Sequence, residues 1–228
     1  MSRLKRAADV RRRLASECPR DTQCAVLGCS DPTRSSAGEG FDLRLCQRHA
    51  EAYSRHGSPW RRSYRAAEYQ PHRDSALRWL RANQERLEVS GAEHRVKRLL
   101  LTAGPAEPAF RLRGMKPRER ATVAWARLRA NRVDPLRPVA AWLAIERTIA
   151  SDPEADTRPE FARVQSAKLV HRMASGTRKV WEQPGQDASK RVTRLEVYPR
   201  SRGQVLRHIG NDLEMACEPL LDVEWWRD

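Results

Sequence analysis

The chain has 228 residues, of which 32 % are charged, and its formal net charge is +15 with a pI of about 10.6. This length fits one large domain or two small ones. No stretch approaches the ~20 apolar residues that a membrane-spanning helix needs, and no apolar run follows the basic amino terminus, so the sequence predicts neither a membrane protein nor a secreted one. Since the net charge of +15 also favours association with a polyanion, we expect a cytoplasmic, nucleoid-associated protein.

The positive charge is unevenly distributed. Residues 211–228 contain six carboxylates against Arg227 alone, a charge of −5, so residues 1–210 carry +20. Such an excess attracts polyanions, and nucleic acid is the commonest polyanion in a cytoplasm. The alternative is an ordinary protein with a charged surface. Arginine greatly outnumbers lysine, and guanidinium groups suit contacts with phosphate and guanine.

In chain order, the sequence predicts a basic arm or helix over residues 1–23, a metal-binding module over 24–60, a mainly helical domain over 61–220 and an acidic tail over 221–228. The module contains a turn-rich loop at 31–40. Helical spacing begins near Ser63 and continues across 72–89, with Leu77, Leu80 and Leu87 on one face. A second helix is predicted from a capping Ser90 to Gly104.

Three further helices and a hairpin are predicted after the linker at 104–115. One begins at Pro117 with Val123, Ala124 and Leu128 on its apolar face, one covers about 138–151, and one covers about 158–175. Residues 178–199 favour two strands around a Pro-Gly turn. A last helix over about 201–221 should bury the apolar side chains Val205, Leu206, Ile209, Leu213 and Met215. The predicted fold class is mainly α, with a small zinc-stabilised amino-terminal module and a late β-hairpin.

The clearest chemical motif is Cys24-x4-Cys29 followed by Cys46-x2-His49. Zinc prefers four such ligands at tetrahedral corners, commonly supplied as two close pairs. Residues three apart on a helix share a face, so Cys46 and His49 can converge on one ion. Four protein ligands close the coordination shell, and we therefore predict one structural Zn²⁺ site. Cys18 could replace Cys24 or Cys29, His56 is a weaker competitor for His49, and Cys217 is predicted to lie in the core.

The segment CAVLGCSDP, with LCQRHAEAYSRHGSPW after it, resembles the small zinc-finger cassette of phage and mobile-element DNA-associated proteins. The resemblance covers residues 24–60. The chain departs from the cassette at Ala50 and Ser58, where Tyr and Asp are usual, and keeps all four ligands. The resemblance implies an association with DNA-binding or DNA-processing modules, and it does not define one activity.

No enzyme is predicted. The chain has no phosphate-binding glycine loop and no H-E-x-x-H motif, and the histidines outside the cluster are scattered. Asp152, Glu154 and Asp156 are close in sequence but lie in a proline-containing loop. A tyrosine recombinase is disfavoured because Tyr198 precedes Arg207 and His208 and the chain is short for such a catalytic domain.

Three arginine-rich segments are candidates for contact with nucleic acid: Arg11, Arg12 and Arg13; then Arg55, Trp60, Arg61, Arg62 and Arg65, with Tyr64 beside them; then Arg200, Arg202 and Arg207. The second set follows the metal motif and combines cations with aromatic rings that could stack on bases.

The sequence predicts a non-enzymatic, zinc-containing DNA-binding protein, an accessory or regulatory factor of a phage or mobile element in recombination or transcription. Double-stranded DNA is the expected partner, with RNA left open, and a recombinase or transposase is a further candidate partner. The alternatives are an adaptor that binds an acidic protein and, less favoured, a nuclease.

Overall fold

A computed structural model describes residues 23–33, 44–174, 178–184, 190–196 and 203–226. The chain divides into two compact units, Met1–Arg62 and Ser63–Asp228. We call them the amino-terminal unit and the helical unit. The predicted arm at 1–23, including Arg11, Arg12 and Arg13, falls almost entirely outside the described residues.

The amino-terminal unit has one described helix, α1, at Gln47–His56. It ends at Gly57, whose left-handed φ of 79° lets its N–H bond the Tyr53 carbonyl. Ahead of α1, an isolated antiparallel bridge pairs Gln23 with Pro32. Apart from Pro59, the described part of this unit buries only Cys24, Cys46 and Ala50 among its apolar side chains. Apolar packing alone is therefore a weak source of stability for this unit.

The helical unit confirms a mainly α fold. Its helices are α2 at Ala66–Ala82, α3 at Leu87–Thr102, α4 at Pro117–Ala130, α5 at Leu136–Ser151, α6 at Pro159–Met173 and α7 at Gln204–Cys217, with 3₁₀ turns at Ala109–Gly114 and Glu218–Leu220. Strands β1 (Arg178–Pro184) and β2 (Lys190–Glu196) pair antiparallel, with Trp181 opposite Thr193. They occupy the segment for which the sequence predicts a hairpin. No helix in the described ranges is long and apolar enough to cross a bilayer.

One core joins the helices of this unit. Helix α2 packs on α5, α6 packs on α7, and α4 contacts α7. The predicted apolar face of α4 is buried, as are the side chains of Trp79, Trp125, Trp142 and Cys217. Trp225, in the predicted acidic tail, is also buried and only 4 % exposed. The tail therefore supplies an apolar side chain to the core.

Three sequence predictions about the helices are wrong. The helical pattern at 72–89 is two helices, broken after Ala82, and Leu87 starts the second one with 85 % of its surface exposed. Ser90 lies inside α3, where its hydroxyl donates to the Leu87 carbonyl, and is not the cap. Met215 is 70 % exposed because α7 turns its other face to the core.

Many arginines of the helical unit serve the fold. Arg129 donates to the carbonyls of Leu100, Leu101 and Gly104, which satisfies the orphan acceptors at the end of α3. Buried Asp212 accepts from Arg118 Nη1 at 2.5 Å and from the Trp125 indole N–H at 2.9 Å. Three further arginine–carboxylate pairs join separate elements: Arg163 with Glu214, Arg207 with Glu160, and Arg95 with Glu218. Part of the positive charge is thus neutralised within the fold.

Candidate metal centre

The four predicted ligands come together in the amino-terminal unit. One ligand atom from each of Cys24, Cys29, Cys46 and His49 lies within 4.8 Å of the others, and the group could hold a metal ion. His49 Nδ1 is 3.2 Å from Cys24 Sγ and 3.4 Å from Cys46 Sγ. With metal–ligand bonds of 2.0–2.3 Å, the S···N edges of a tetrahedral zinc site are about 3.5 Å. The cluster therefore has nearly the size that such a site requires.

The first pair of ligands is held by a tight backbone knuckle. Cys24 N–H donates to the Asp31 carbonyl at 3.0 Å, and Cys29 N–H donates to the Val26 carbonyl at 3.0 Å. Gly28, with φ of 76°, makes the reversal that returns the chain to Cys29. Ala25 N–H bonds the Arg44 carbonyl at 2.7 Å, which ties the knuckle to the segment entering α1.

The second pair lies at the start of α1. Cys46 is its N-cap residue and His49 is three residues later, so both face the knuckle from the positive end of the helix dipole. His56 is seven residues beyond His49, about 10 Å along the helix axis, and is not part of the cluster. Cys18 lies outside the described residues.

The thiols differ in their electrostatic surroundings. Burial alone would raise the pKa of Cys24, but hydrogen bonds from the backbone of Cys46 and Val26, together with His49, lower it to about 7. The pKa of Cys46 is raised, chiefly by burial and by the neighbouring sulfurs. A partly ionised thiol among potential ligands favours metal binding because the thiolate is the ligating form.

Arg48 is a neighbour of the cluster that sequence reasoning missed. Its Nη2 lies 3.7 Å from Cys29 Sγ and 3.5 Å from Asp31 Oδ2, so its guanidinium faces the half-exposed sulfur. The contact with Cys29 is the main cause of a raised pKa for Arg48. The sequence feature that could have identified Arg48 is its position between Cys46 and His49, on the helical turn that carries the second ligand pair.

A groove beside the cluster gathers most of the predicted arginine set. This open groove, about 1140 Å³ in volume, is lined by Cys46 and His49 and by Arg48, Arg55, Trp60, Arg61 and Arg62. Its two carboxylates are paired: Asp31 with Arg48, and Glu51 with Arg55 at 2.9 Å. Four arginines against two carboxylates leave the lining side chains net positive.

The other predicted contacts that the structure describes do not line this groove. Tyr64 is buried against Phe161 (5.5 Å between ring centroids) and donates to Asp152 Oδ2 at 3.0 Å, so its predicted role in stacking on bases is wrong. Arg65 belongs to the helical unit, where its backbone N–H bonds Glu68 Oε2 at the start of α2. Arg207 is half-buried and paired with Glu160. Arg200 and Arg202 lie outside the described residues.

Comparison with known proteins gives no match: no protein-family model fits the chain, and no curated protein or solved structure is significantly similar to it.

Proposed function

We propose that the chain is a non-enzymatic DNA-binding protein whose amino-terminal unit is organised by one structural zinc ion. The observation that carries the proposal is the juxtaposition, in one small unit, of a Cys₃His cluster and an arginine-lined groove with an exposed tryptophan. The resemblance of residues 24–60 to a mobile-element cassette supports a role as an accessory or regulatory factor in DNA processing.

Zinc is proposed from the chemistry of the donors. Three thiols and one imidazole are a structural zinc set, and hard cations such as Mg²⁺ and Ca²⁺ prefer oxygen ligands. Four protein ligands leave no coordination position for a substrate, so the ion would have a structural role. The small apolar core of the unit makes a metal the natural source of its stability.

DNA binding is proposed from the groove. Guanidinium groups on a concave surface bind the phosphates of a nucleic-acid backbone, and their release of counterions makes the affinity salt-dependent. The groove combines such groups with an aromatic ring, as surfaces that bind nucleic acid do. Many arginines of the helical unit are paired with carboxylates, so the net charge of the whole chain is a poor guide to where a polyanion binds. In the groove, four arginines lie beside only two carboxylates, which leaves a local positive excess.

The test compares two charge-matched double variants. Arg61→Gln/Arg62→Gln removes two groove cations, while Arg113→Gln/Lys116→Gln removes two exposed cations of the helical unit. The affinity of each for a labelled DNA duplex and for a labelled single strand is measured from ~50 to ~200 mM salt. We expect the wild type to lose affinity steeply with salt, and the groove variant to bind more weakly with a slope shallower by about 2.

Equal losses in the two variants would show that binding follows net charge and not the groove. Absence of DNA binding at low salt would overturn the proposal, and tight association with an acidic protein would then favour an adaptor. Cleavage of the probe that depends on a divalent cation would instead identify a nuclease.

A further inference from the structure

Trp60 is held firmly at the surface of the groove. Ser58, which is fully buried, accepts hydrogen bonds at its Oγ from the N–H groups of Trp60 (3.3 Å) and Arg61 (2.9 Å). Pro59 is also buried, and Gly57 closes α1 just before this turn. The backbone beneath Trp60 is therefore fixed, while the residue remains 54 % exposed.

The polar side chains of α1 beside the groove are already paired with one another. Gln47 donates to Glu51 Oε1 at 2.7 Å and Arg55 bonds Glu51 Oε2 at 2.9 Å, while Arg48 faces Cys29 and Asp31. A helix that reads duplex DNA needs such groups for the edges of the bases. Reading a duplex with α1 would require these pairs to break first.

The indole of Trp60 can bind nucleic acid in another way, by stacking its flat face on a base. Within a duplex both faces of each base are covered by its neighbours, whereas an unpaired base exposes a face that an aromatic ring can stack on. The groove, at about 1140 Å³, exceeds the ~300–1,000 Å³ of small-molecule pockets and is open, as a passing strand requires. Arg61 and Arg62, next to the ring in sequence, are suited to the phosphates on either side of a stacked base.

From this arrangement we propose that the groove binds single-stranded DNA, with an unpaired base stacked on Trp60 and its flanking phosphates held by the arginines. This inference rests on the proposed DNA-binding function and specifies its substrate. It replaces the duplex expected from charge alone with an unpaired segment, such as a strand exposed during DNA processing.

The experiment measures binding of a fluorescent oligothymidine and of a hairpin duplex of equal charge, at one salt concentration, by anisotropy. Trp60→Ala should weaken binding to the single strand by ~10- to 100-fold and to the duplex by much less, because stacking is lost. Trp60→Phe should restore most of the affinity, since a smaller ring still stacks. Trp226→Ala removes a similarly exposed indole from the helical unit and should leave binding unchanged.

Metal content and far-UV circular dichroism of each variant show that the fold is retained. If the wild type binds neither probe, the proposed function fails together with this inference. If the wild type binds duplex DNA at least as tightly as the single strand, or if Trp60→Ala weakens both equally or neither, this inference alone is overturned.

Discussion

At the scale of single residues, His171 on α6 couples the stability of the helical unit to pH. It is half-buried, and burial together with Arg127, Arg120 and Arg172 lowers its pKa to about 4. Well above pH 6.5 the imidazole is neutral in both folded and unfolded chains. Between pH 6.5 and 4 the unfolded chain takes up a proton that the folded chain resists, so this contribution to stability is lost as the pH falls.

We predict that His171→Gln makes stability less sensitive to acid. From pH 7 to pH 4 the wild type should lose about 3 kcal/mol through this histidine alone, at ~1.4 kcal/mol per pKa unit, and the variant should be spared that loss. Urea denaturation at several pH values measures the difference. His94→Gln, which removes an exposed histidine, is the control and should follow the wild type. Parallel pH profiles for all three proteins would contradict the prediction.

The metal cluster was predictable from sequence because its determinants are local. Two short spacings and a helix start bring Cys24, Cys29, Cys46 and His49 within reach of one another. Arg48 was missed because its role depends on where the Cys29 sulfur lies, which no spacing rule gives. Tyr64 was misassigned because its burial depends on Phe161, nearly a hundred residues away.

At the scale of elements, two glycines in helices have opposite surroundings. A Cβ added to Gly210 of α7 would lie 2.6 Å from the Arg163 carbonyl oxygen and 2.7 Å from the Arg163 Cβ, so α6 and α7 cross where only hydrogen fits. A Cβ added to Gly91 of α3 would meet Pro219 Cγ at an ordinary 3.7 Å. The same substitution should therefore have opposite effects at the two sites.

We predict that Gly210→Ala destabilises the helical unit by ~1–3 kcal/mol, since the backbone of α6 must move away. Gly91→Ala should instead stabilise it by ~0.5–1 kcal/mol, because alanine loses less backbone entropy in a helix. Thermal melting followed at 222 nm measures both, and each variant serves as the control for the other. A Gly210→Ala protein as stable as the wild type would show that the two helices do not cross this closely.

The presence of a helix was easier to predict from the sequence than the residues at which it begins and ends. Apolar spacing and Pro117 located α4 correctly, because those signals lie within the element. The break between α2 and α3 was missed because Leu87 continues the helical spacing of Leu77 and Leu80. The exposure of Leu87 is decided by the turn of the chain after Ala82. Met215 was misplaced for a different reason, because it lies on the face of α7 that turns away from the core.

At the scale of the whole molecule, the two units have different sources of stability. The described part of the amino-terminal unit has four potential metal ligands and very few buried apolar side chains, whereas the helical unit has an extended core that includes Trp125 and Phe161. Removal of a metal should therefore affect the two units unequally.

We predict that the purified protein contains one zinc per chain, and that Cys46→Ser/His49→Ala contains none. Chelation should abolish the protection of α1 amides from hydrogen exchange and leave the amides of α5 and α6 protected, because only the first set depends on the cluster. Elemental analysis and exchange monitored by mass spectrometry test both statements. Cys217→Ala, which removes a thiol remote from the cluster in sequence, should retain its zinc. A metal-free wild type with protected α1 amides would refute the structural role.

The hydrogen bonds from Arg129 to the carbonyls at the end of α3 have a practical consequence for labelling. A side chain from α4 satisfies the carbonyls of Leu100, Leu101 and Gly104. The hydrogen bonding at the end of α3 therefore does not require the exposed residues Pro105 and Ala106 that follow it. Such exposed positions tolerate inserted sequence well. A short peptide epitope or a fluorophore attachment site inserted after Ala106 would report on the helical unit while leaving its packing intact.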